Sequence, residues 1–260
     1  MKPTGKVWFV GAGPGDSELL TLKAQRLLKE AGAVLYAGSL VSQEALAWCP
    51  EDCVLQDSKG MDLEEINHWL FTQVSNHKTV VRLQTGDPSL YGALVEMANP
   101  LIDSGVEIGM VPGVSSAFAS AAAAQESLTL PEVTQTVILT RVAGRTPMPE
   151  GESLVELAKH HCTLCLFLSI TLLKKVVKEL LEAGWSPEAT IVVVQKASWP
   201  DEEKVFRAPL NQIEATCFDA GVRSQAMIIA SPTVDARHQP DLKKSKLYDR
   251  SFGHQFRPSK

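Results

Sequence analysis

Apolar positions along this chain follow two alternating rhythms. Val7-Trp8-Phe9-Val10 is a short apolar run that reads as a strand. After it Leu20, Ala24, Leu27, Leu28 and Ala31 recur at the spacing of one helix face, opposite Lys23, Arg26 and Lys29. Asp16 or Ser17 is the expected N-cap of that helix and Gly32 its stop. The alternation continues: a strand ending at Tyr36, a short helix over Gln43 to Trp48, and a helix from Leu63 to Val74 with Ile66, Leu70 and Val74 on one face. Thr79 to Leu83 is a β-branched strand, followed by a helix expected to kink or end near Pro100. The strand Val106 to Val111 then leads into an alanine-rich helix.

Strand, small-residue loop and helix, repeated in this way, predict a mainly parallel sheet covered by helices. In such sheets ligands bind at the carboxyl ends of the strands. Three special loops fall at those ends: Gly11-Ala12-Gly13-Pro14-Gly15-Asp16, Thr85-Gly86-Asp87-Pro88-Ser89-Leu90-Tyr91-Gly92 and Pro112-Gly113-Val114-Ser115-Ser116. The first is not a dinucleotide fingerprint, which wants glycine where Asp16 stands and an acid after the second strand. That second strand runs Tyr36-Ala37-Gly38-Ser39 with no acid. Nor is it a Walker loop, because no Lys-Ser or Lys-Thr follows the glycines.

Beyond Leu128-Thr129-Leu130-Pro131-Glu132 the alternation starts again. Strands are predicted at Thr136 to Thr140, Thr163 to Leu168, Thr190 to Gln195, Lys204 to Ala208 and Ala226 to Ile229. Helices are predicted at Leu154 to His160, Leu172 to Ala183 (ended by Gly184) and Asn211 to Ala220. This half reads as a second α/β domain with more hairpin character. The expected division is 1–116, 117–239 and a basic, aromatic C-terminal arm over 240–260.

The 260 residues are 45% hydrophobic and 21% charged, the balance of a globular protein. A net charge of -5 argues against a general nucleic-acid binder but leaves room for an anionic small molecule held by local arginines. No apolar run approaches the roughly 18 residues of a membrane span. The chain enters a strand almost at once, which leaves no room for a signal peptide. Five cysteines without framework spacing fit a reducing cytoplasm. His160-His161-Cys162-Thr163-Leu164-Cys165 is not completed by a second ligand cluster, so no metal site is expected and its cysteines read as buried strand residues.

Taken together, GAGPGD with LLT, TGDPSLYG, VPGVSS, and the segments around Phe167-Leu168-Ser169 and Lys196-Ala197-Ser198-Trp199-Pro200 resemble the tetrapyrrole methylase family in the right order along nearly the whole chain. The resemblance implies two α/β domains with a cofactor cleft between them and S-adenosylmethionine as methyl donor, leaving S-adenosylhomocysteine. YAGSLV, LPEVTQT, TRVAGRTP and the closing Leu247-Tyr248 with Phe252-Gly253-His254 look most like the branch that methylates C11 of precorrin-4 or cobalt-precorrin-4 in cobalamin biosynthesis. Carried over by position, the cofactor contacts are Pro14, Thr85, Gly86, Asp87, Leu90, Ser115 and Ser116, with Leu168 and Ala197 from the second domain. The resemblance also implies a homodimer acting on a small corrin precursor, while the cysteines, charge and hydropathy point to a cytoplasmic protein with neither nucleic acid nor membrane as partner. Members that methylate uroporphyrinogen III carry Tyr-Asp-Arg after the second strand; the Tyr36-Ala37-Gly38 found here argues against that step and leaves no catalytic base assigned.

A corrin precursor bears acetate and propionate arms, which arginines clamp bidentately. Arg141 and Arg145 are the expected substrate contacts, with Lys196 behind them. Plainer roles stand beside these: Asp87 as a helix cap, Ser115 and Ser116 as an N-cap pair, and the arginines as solvated surface charges. Other functions considered were another corrin precursor, methylation of ribosomal RNA or a protein, and a non-catalytic nucleotide-binding module.

Overall fold

A computed structural model describes residues 5–236 and 245–258. Residues 240–244 and 259–260 of the expected arm lie outside the described residues. The chain forms two compact units. The first comprises the described residues up to Ala119 together with Lys196–Glu203, and the second comprises Ser120–Gln195 and the described residues from Lys204 onward.

The first unit contains β1 (Lys6–Gly11), α1 (Leu22–Lys29), β2 (Ala33–Tyr36), α2 (Gln43–Leu46), β3 (Val54–Asp57), α3 (Leu63–Asn76), β4 (Thr79–Gln84), α4 (Leu94–Asp103), β5 (Glu107–Val111) and the start of α5 (Ser116–Ala123). Its sheet has the order β3-β2-β4-β1-β5 and every pairing is parallel. Strands β1, β2 and β4 are mostly buried, which is why they read as near-continuous apolar runs. Val10, Val34, Val81 and Leu83 pack with Ala24, Leu27 and Leu28 of α1, whereas Val7, Phe9, Leu35 and Val80 pack with Leu70 and Val74 of α3 and Met97 and Leu101 of α4.

Several local expectations are corrected. Thr21 caps α1 through its hydroxyl, while Asp16 caps a separate 3-10 turn over Ser17–Leu19. Helix α1 ends at Lys29, with Glu30 as its C-cap, before reaching Gly32. Strand β3 has no counterpart in the sequence reading: it is four residues long and largely exposed, so it lacks the apolar signal of the others. Helix α4 runs through Pro100 to Asp103. Proline removes the N–H that would bond the carbonyl four residues earlier, and here that Glu96 carbonyl accepts a bond from Asn67 Nδ2 of α3 (3.3 Å).

The second unit contains β6 (Val137–Arg141), α6 (Leu154–Ala158), β7 (Thr163–Phe167), α7 (Leu173–Glu182), β8 (Thr190–Gln195), β9 (Lys204–Pro209), α8 (Ile213–Asp219) and β10 (Ala226–Ala230). Its order is β6-β7-β10-β8-β9, with β6 and β7 parallel and the other pairs antiparallel, the hairpin character read from the sequence. Cys162, Cys165 and Cys217 are buried, and all five cysteines are free thiols. Among the described residues no group of three or more histidine, cysteine or acidic side chains could hold a metal ion, and no helix is long and apolar enough to cross a membrane.

Candidate active site

The three small-residue loops leave the carboxyl ends of β1, β4 and β5, and β1 lies between β4 and β5 and pairs with both. They meet backbone to backbone. Gly86 N donates to Gly13 O (2.7 Å) and Gly13 N to Gly86 O (3.3 Å), a two-residue bridge beyond the strands. A Cβ on Gly11 would stand 2.6 Å from both Gly113 Cα and Gly86 O, and one on Gly113 only 2.1 Å from Gly86 O. Gly11 and Gly113 therefore lack side chains chiefly so that the loops can touch one another.

Gly86 differs. Its φ of +63° favours glycine, and a Cβ there would meet nothing nearer than Ser115 Cα (3.9 Å) and Ser116 N (4.0 Å). An open seam is thus left between the loop after β4 and the start of α5. Asp87 spans the same gap. Its Oδ2 accepts from Gly113 N (3.0 Å), and its Oδ1 accepts from Ser89 N (2.9 Å) and Ser89 Oγ (2.5 Å). It does not cap α4, whose N-cap is Ala93 in the left-handed region. Burial pushes the Asp87 carboxyl up, but these three hydrogen bonds together outweigh it and hold the group below its ordinary value. Gln84, buried at the end of β4, donates to Gly92 O (2.6 Å) and so fixes the far end of this loop.

The other expected contacts are placed as follows. Thr85 is exposed and Leu90 half-buried on the loop after β4. Ser115 is buried, and its hydroxyl accepts from Ala117 N (3.3 Å), the N-cap role; Ser116 opens α5. Ala197 and Lys196, expected with the second domain, group with the first unit, where Ala197 is buried. Pro14 is also buried, and its carbonyl accepts from Trp199 Nε1 (2.9 Å). The indole lies against Gly15, where a Cβ would be 2.3 Å from it, and Ser198 Oγ accepts from Asp16 N (3.1 Å). Ser198 and Trp199 therefore brace the first glycine loop. No residue pattern announced that, because the contact joins positions more than 180 residues apart. Trp199→Phe keeps a ring over Gly15 but loses the bond to Pro14, and should lower stability by about 1 kcal/mol in denaturant unfolding.

Lys196 lies over the Trp199 ring (5.5 Å) and is ion-paired with Glu202. In the second unit Arg141 is the last residue of β6, and its guanidinium donates to the carbonyls of Thr146 (3.2 Å) and Pro147 (2.7 Å). It braces the very loop that presents Arg145, which is exposed. Leu168, just past β7, is 70% exposed on a left-handed backbone.

A glycine-paved gap at the carboxyl ends of a parallel sheet fits a small folded ligand approached by backbone. Comparison with known proteins gives it a context: residues 6–214 match the family described as Tetrapyrrole (Corrin/Porphyrin) Methylases. The chain belongs to the tetrapyrrole methylase family. It is similar to the cobalt-precorrin-4 C(11)-methyltransferase of Priestia megaterium, 49% identical over 253 residues covering 97% of both chains. Among solved structures it is similar to a cobalamin biosynthetic enzyme, a cobalt-precorrin-4 methyltransferase, with a TM-score of 0.86 and 50% identity over 88% of this chain and 96% of that one. A uroporphyrin-III C-methyltransferase from Thermus thermophilus complexed with S-adenosylhomocysteine has a TM-score of 0.74 and 35% identity, over 89% and 99% of the two chains. At the seam beside Gly86 no Cβ fills the space next to Ser115 Cα and Ser116 N.

Proposed function

We propose that this tetrapyrrole methylase transfers the methyl group of S-adenosylmethionine to C11 of precorrin-4 or cobalt-precorrin-4 in cobalamin biosynthesis. The observation that carries this reading is 49% identity, across 97% of both chains, to a cobalt-precorrin-4 C(11)-methyltransferase. The loop geometry is consistent with it. S-adenosylmethionine supplies a strongly electrophilic methyl, so the protein's task is largely one of proximity and orientation. Gly86 with the backbones of Thr85, Ser115 and Ser116 holds the cofactor, Leu90 and Ala197 pack against it, and Asp87 keeps the loops after β4 and β5 in register. Pro14 acts from one layer behind, through the loop that Trp199 braces.

Arg145 clamps a carboxylate arm of the macrocycle, and Arg141 serves it indirectly by fixing the loop. Arg145→Ala should raise the corrinoid KM about tenfold, near 1.4 kcal/mol, with little change in the affinity for S-adenosylmethionine. An unchanged KM would remove Arg145 from the site.

The deciding experiment supplies 13C-methyl S-adenosylmethionine with precorrin-4 and, separately, with its cobalt complex. A new methyl resonance at C11 is the expected result, and the productive substrate identifies the branch of the pathway. Absence of label from both would refute the reading. A cytoplasmic homodimer belongs to the same proposal; five free thiols fit the reducing compartment. Sedimentation of the purified chain tests the dimer.

A further inference from the structure

Methylating a conjugated ring carbon leaves a positive charge that must be discharged by loss of a proton, yet Tyr36-Ala37-Gly38 carries no acid where strand β2 ends. We propose that Asp57, at the end of the neighbouring strand β3, is the proton acceptor of the methyl transfer. The inference rests on the C11-methyltransferase reading above.

Register brings Asp57 to the right level. It pairs with Tyr36, which pairs with Leu83, which pairs with Val10, so Asp57 stands one residue below the strand ends from which the glycine loops leave. Its strand is two steps from β4, or about 10 Å at ordinary strand spacing. A broad macrocycle whose reacting carbon meets a cofactor at the β4 loop can reach that far.

The carboxylate also occupies the space that a side chain from β2 would fill. Gly38 has a φ of +45°, and a Cβ built there would lie 2.8 Å from Asp57 Oδ1 and 3.3 Å from Oδ2. Thus β3 lends an acid to the end of β2 where the local sequence has none. Asp57 Oδ1 is steadied by Lys59 N (2.8 Å).

Behind it sits Arg82, 94% buried in mid-strand on β4. Its guanidinium donates to Ser58 Oγ (3.0 Å) and Leu35 O (3.4 Å), while its Nε is buried without a partner. Burial draws the Arg82 pKa down to about 10, and the charge of Asp57 opposes that fall. A buried cation with an unfilled donor is expensive to maintain unless an anion nearby compensates it. Asp87, the carboxylate on the loop after β4, is already committed to three donors.

In the step, C11 attacks the sulfonium methyl carbon. The new C–C bond forms as the C–S bond breaks, and its electron pair stays on sulfur as S-adenosylhomocysteine. The cationic macrocycle then gives a proton from its conjugated N–H or C–H system to the Asp57 carboxylate, which returns it to solvent.

Three variants are assayed with S-adenosylmethionine and the corrinoid substrate: Asp57→Asn, Asp57→Ala, and the double Gly38→Asp/Asp57→Ala, in which the truncated residue 57 leaves room for the new side chain. Aspartate tolerates the left-handed backbone at position 38 better than most residues. Both single variants should lose about a hundredfold in kcat, the scale of general-base catalysis, with S-adenosylmethionine affinity by calorimetry unchanged. Formate should restore part of the Asp57→Ala turnover, and a carboxylate moved to position 38 should restore most of it. A kcat within threefold of wild type in Asp57→Asn would overturn the assignment. So would a loss that neither formate nor the relocated carboxylate recovers, since that marks a merely structural residue. If wild type itself moves no methyl, the C11-methyltransferase reading falls and takes this one with it; an active wild type with an equally active Asp57→Asn sinks this one alone.

Discussion

Gly113→Ala should destabilise the protein by about 3 kcal/mol, near the upper end of the usual range for forcing an extra methyl into packed structure. The new Cβ would stand 2.1 Å from Gly86 O and 2.8 Å from Gly11 Cα, and both obstacles are backbone. A flexible side chain could swing aside, whereas here the loops after β1 and β4 must themselves separate. The Gly13–Gly86 bridge uses that same Gly86 and lies two residues on from Gly11, so it would open with them. Loss of stability should therefore be accompanied by loss of S-adenosylmethionine binding. The denaturant midpoint and calorimetry together check this, and full affinity in a destabilised Gly113→Ala protein would mean the seam at Gly86 is not where the cofactor sits. Gly60→Ala is the control, since its Cβ would meet nothing within 4 Å; the left-handed φ of +88° there gives only the local backbone penalty.

Asp87→Ala is expected to weaken S-adenosylmethionine binding about a hundredfold, near 2.7 kcal/mol, with a smaller effect on overall stability. The carboxylate is a strut. One oxygen holds Gly113 N and the other holds both donors of Ser89, so its removal frees two of the three loops at once. Its acidity provides an independent check. The folded-state pKa of Asp87 lies below the ordinary value, so its ionised form stabilises the fold. That contribution is fully present above the unfolded pKa of about 3.9 and is lost as pH falls through the lower, folded value. The stability gap between wild type and Asp87→Asn should accordingly be constant above about pH 5 and narrow as the solution becomes more acidic. A gap independent of pH down to acid unfolding would show that the carboxylate's charge is not what joins the loops.

Much of the first unit was legible in advance because its rules are local. Apolar runs separated by helical periodicity specify a parallel, doubly covered sheet, and the small-residue stretches then fall at the carboxyl ends of β1, β4 and β5. The misreadings have equally local causes. Strand β3 has three exposed residues in four and therefore no apolar rhythm to detect. Pro100 ordinarily breaks a helix, but its orphaned carbonyl partner is rescued by Asn67, 29 residues earlier than Glu96. Asp16 looked like the cap of α1 because nothing in the text of the chain says that a separate 3-10 turn intervenes before Thr21.

Residue types alone placed the candidate site: glycines where loops must come close, an aspartate among them, and no constellation for covalent catalysis; the methyl-transfer chemistry came with the family resemblance. What each residue does was decided by tertiary contacts. Gly11 and Gly113 are bare because they touch each other, Pro14 is shielded by an indole from the far end of the sequence, Arg141 supports the loop that bears Arg145, and Asp57 leans over Gly38 from the next strand. The physical reason is the same throughout. Local sequence sets backbone preference and periodicity, whereas which groups share a few ångströms depends on strand register and loop closure, which join residues tens to hundreds of positions apart.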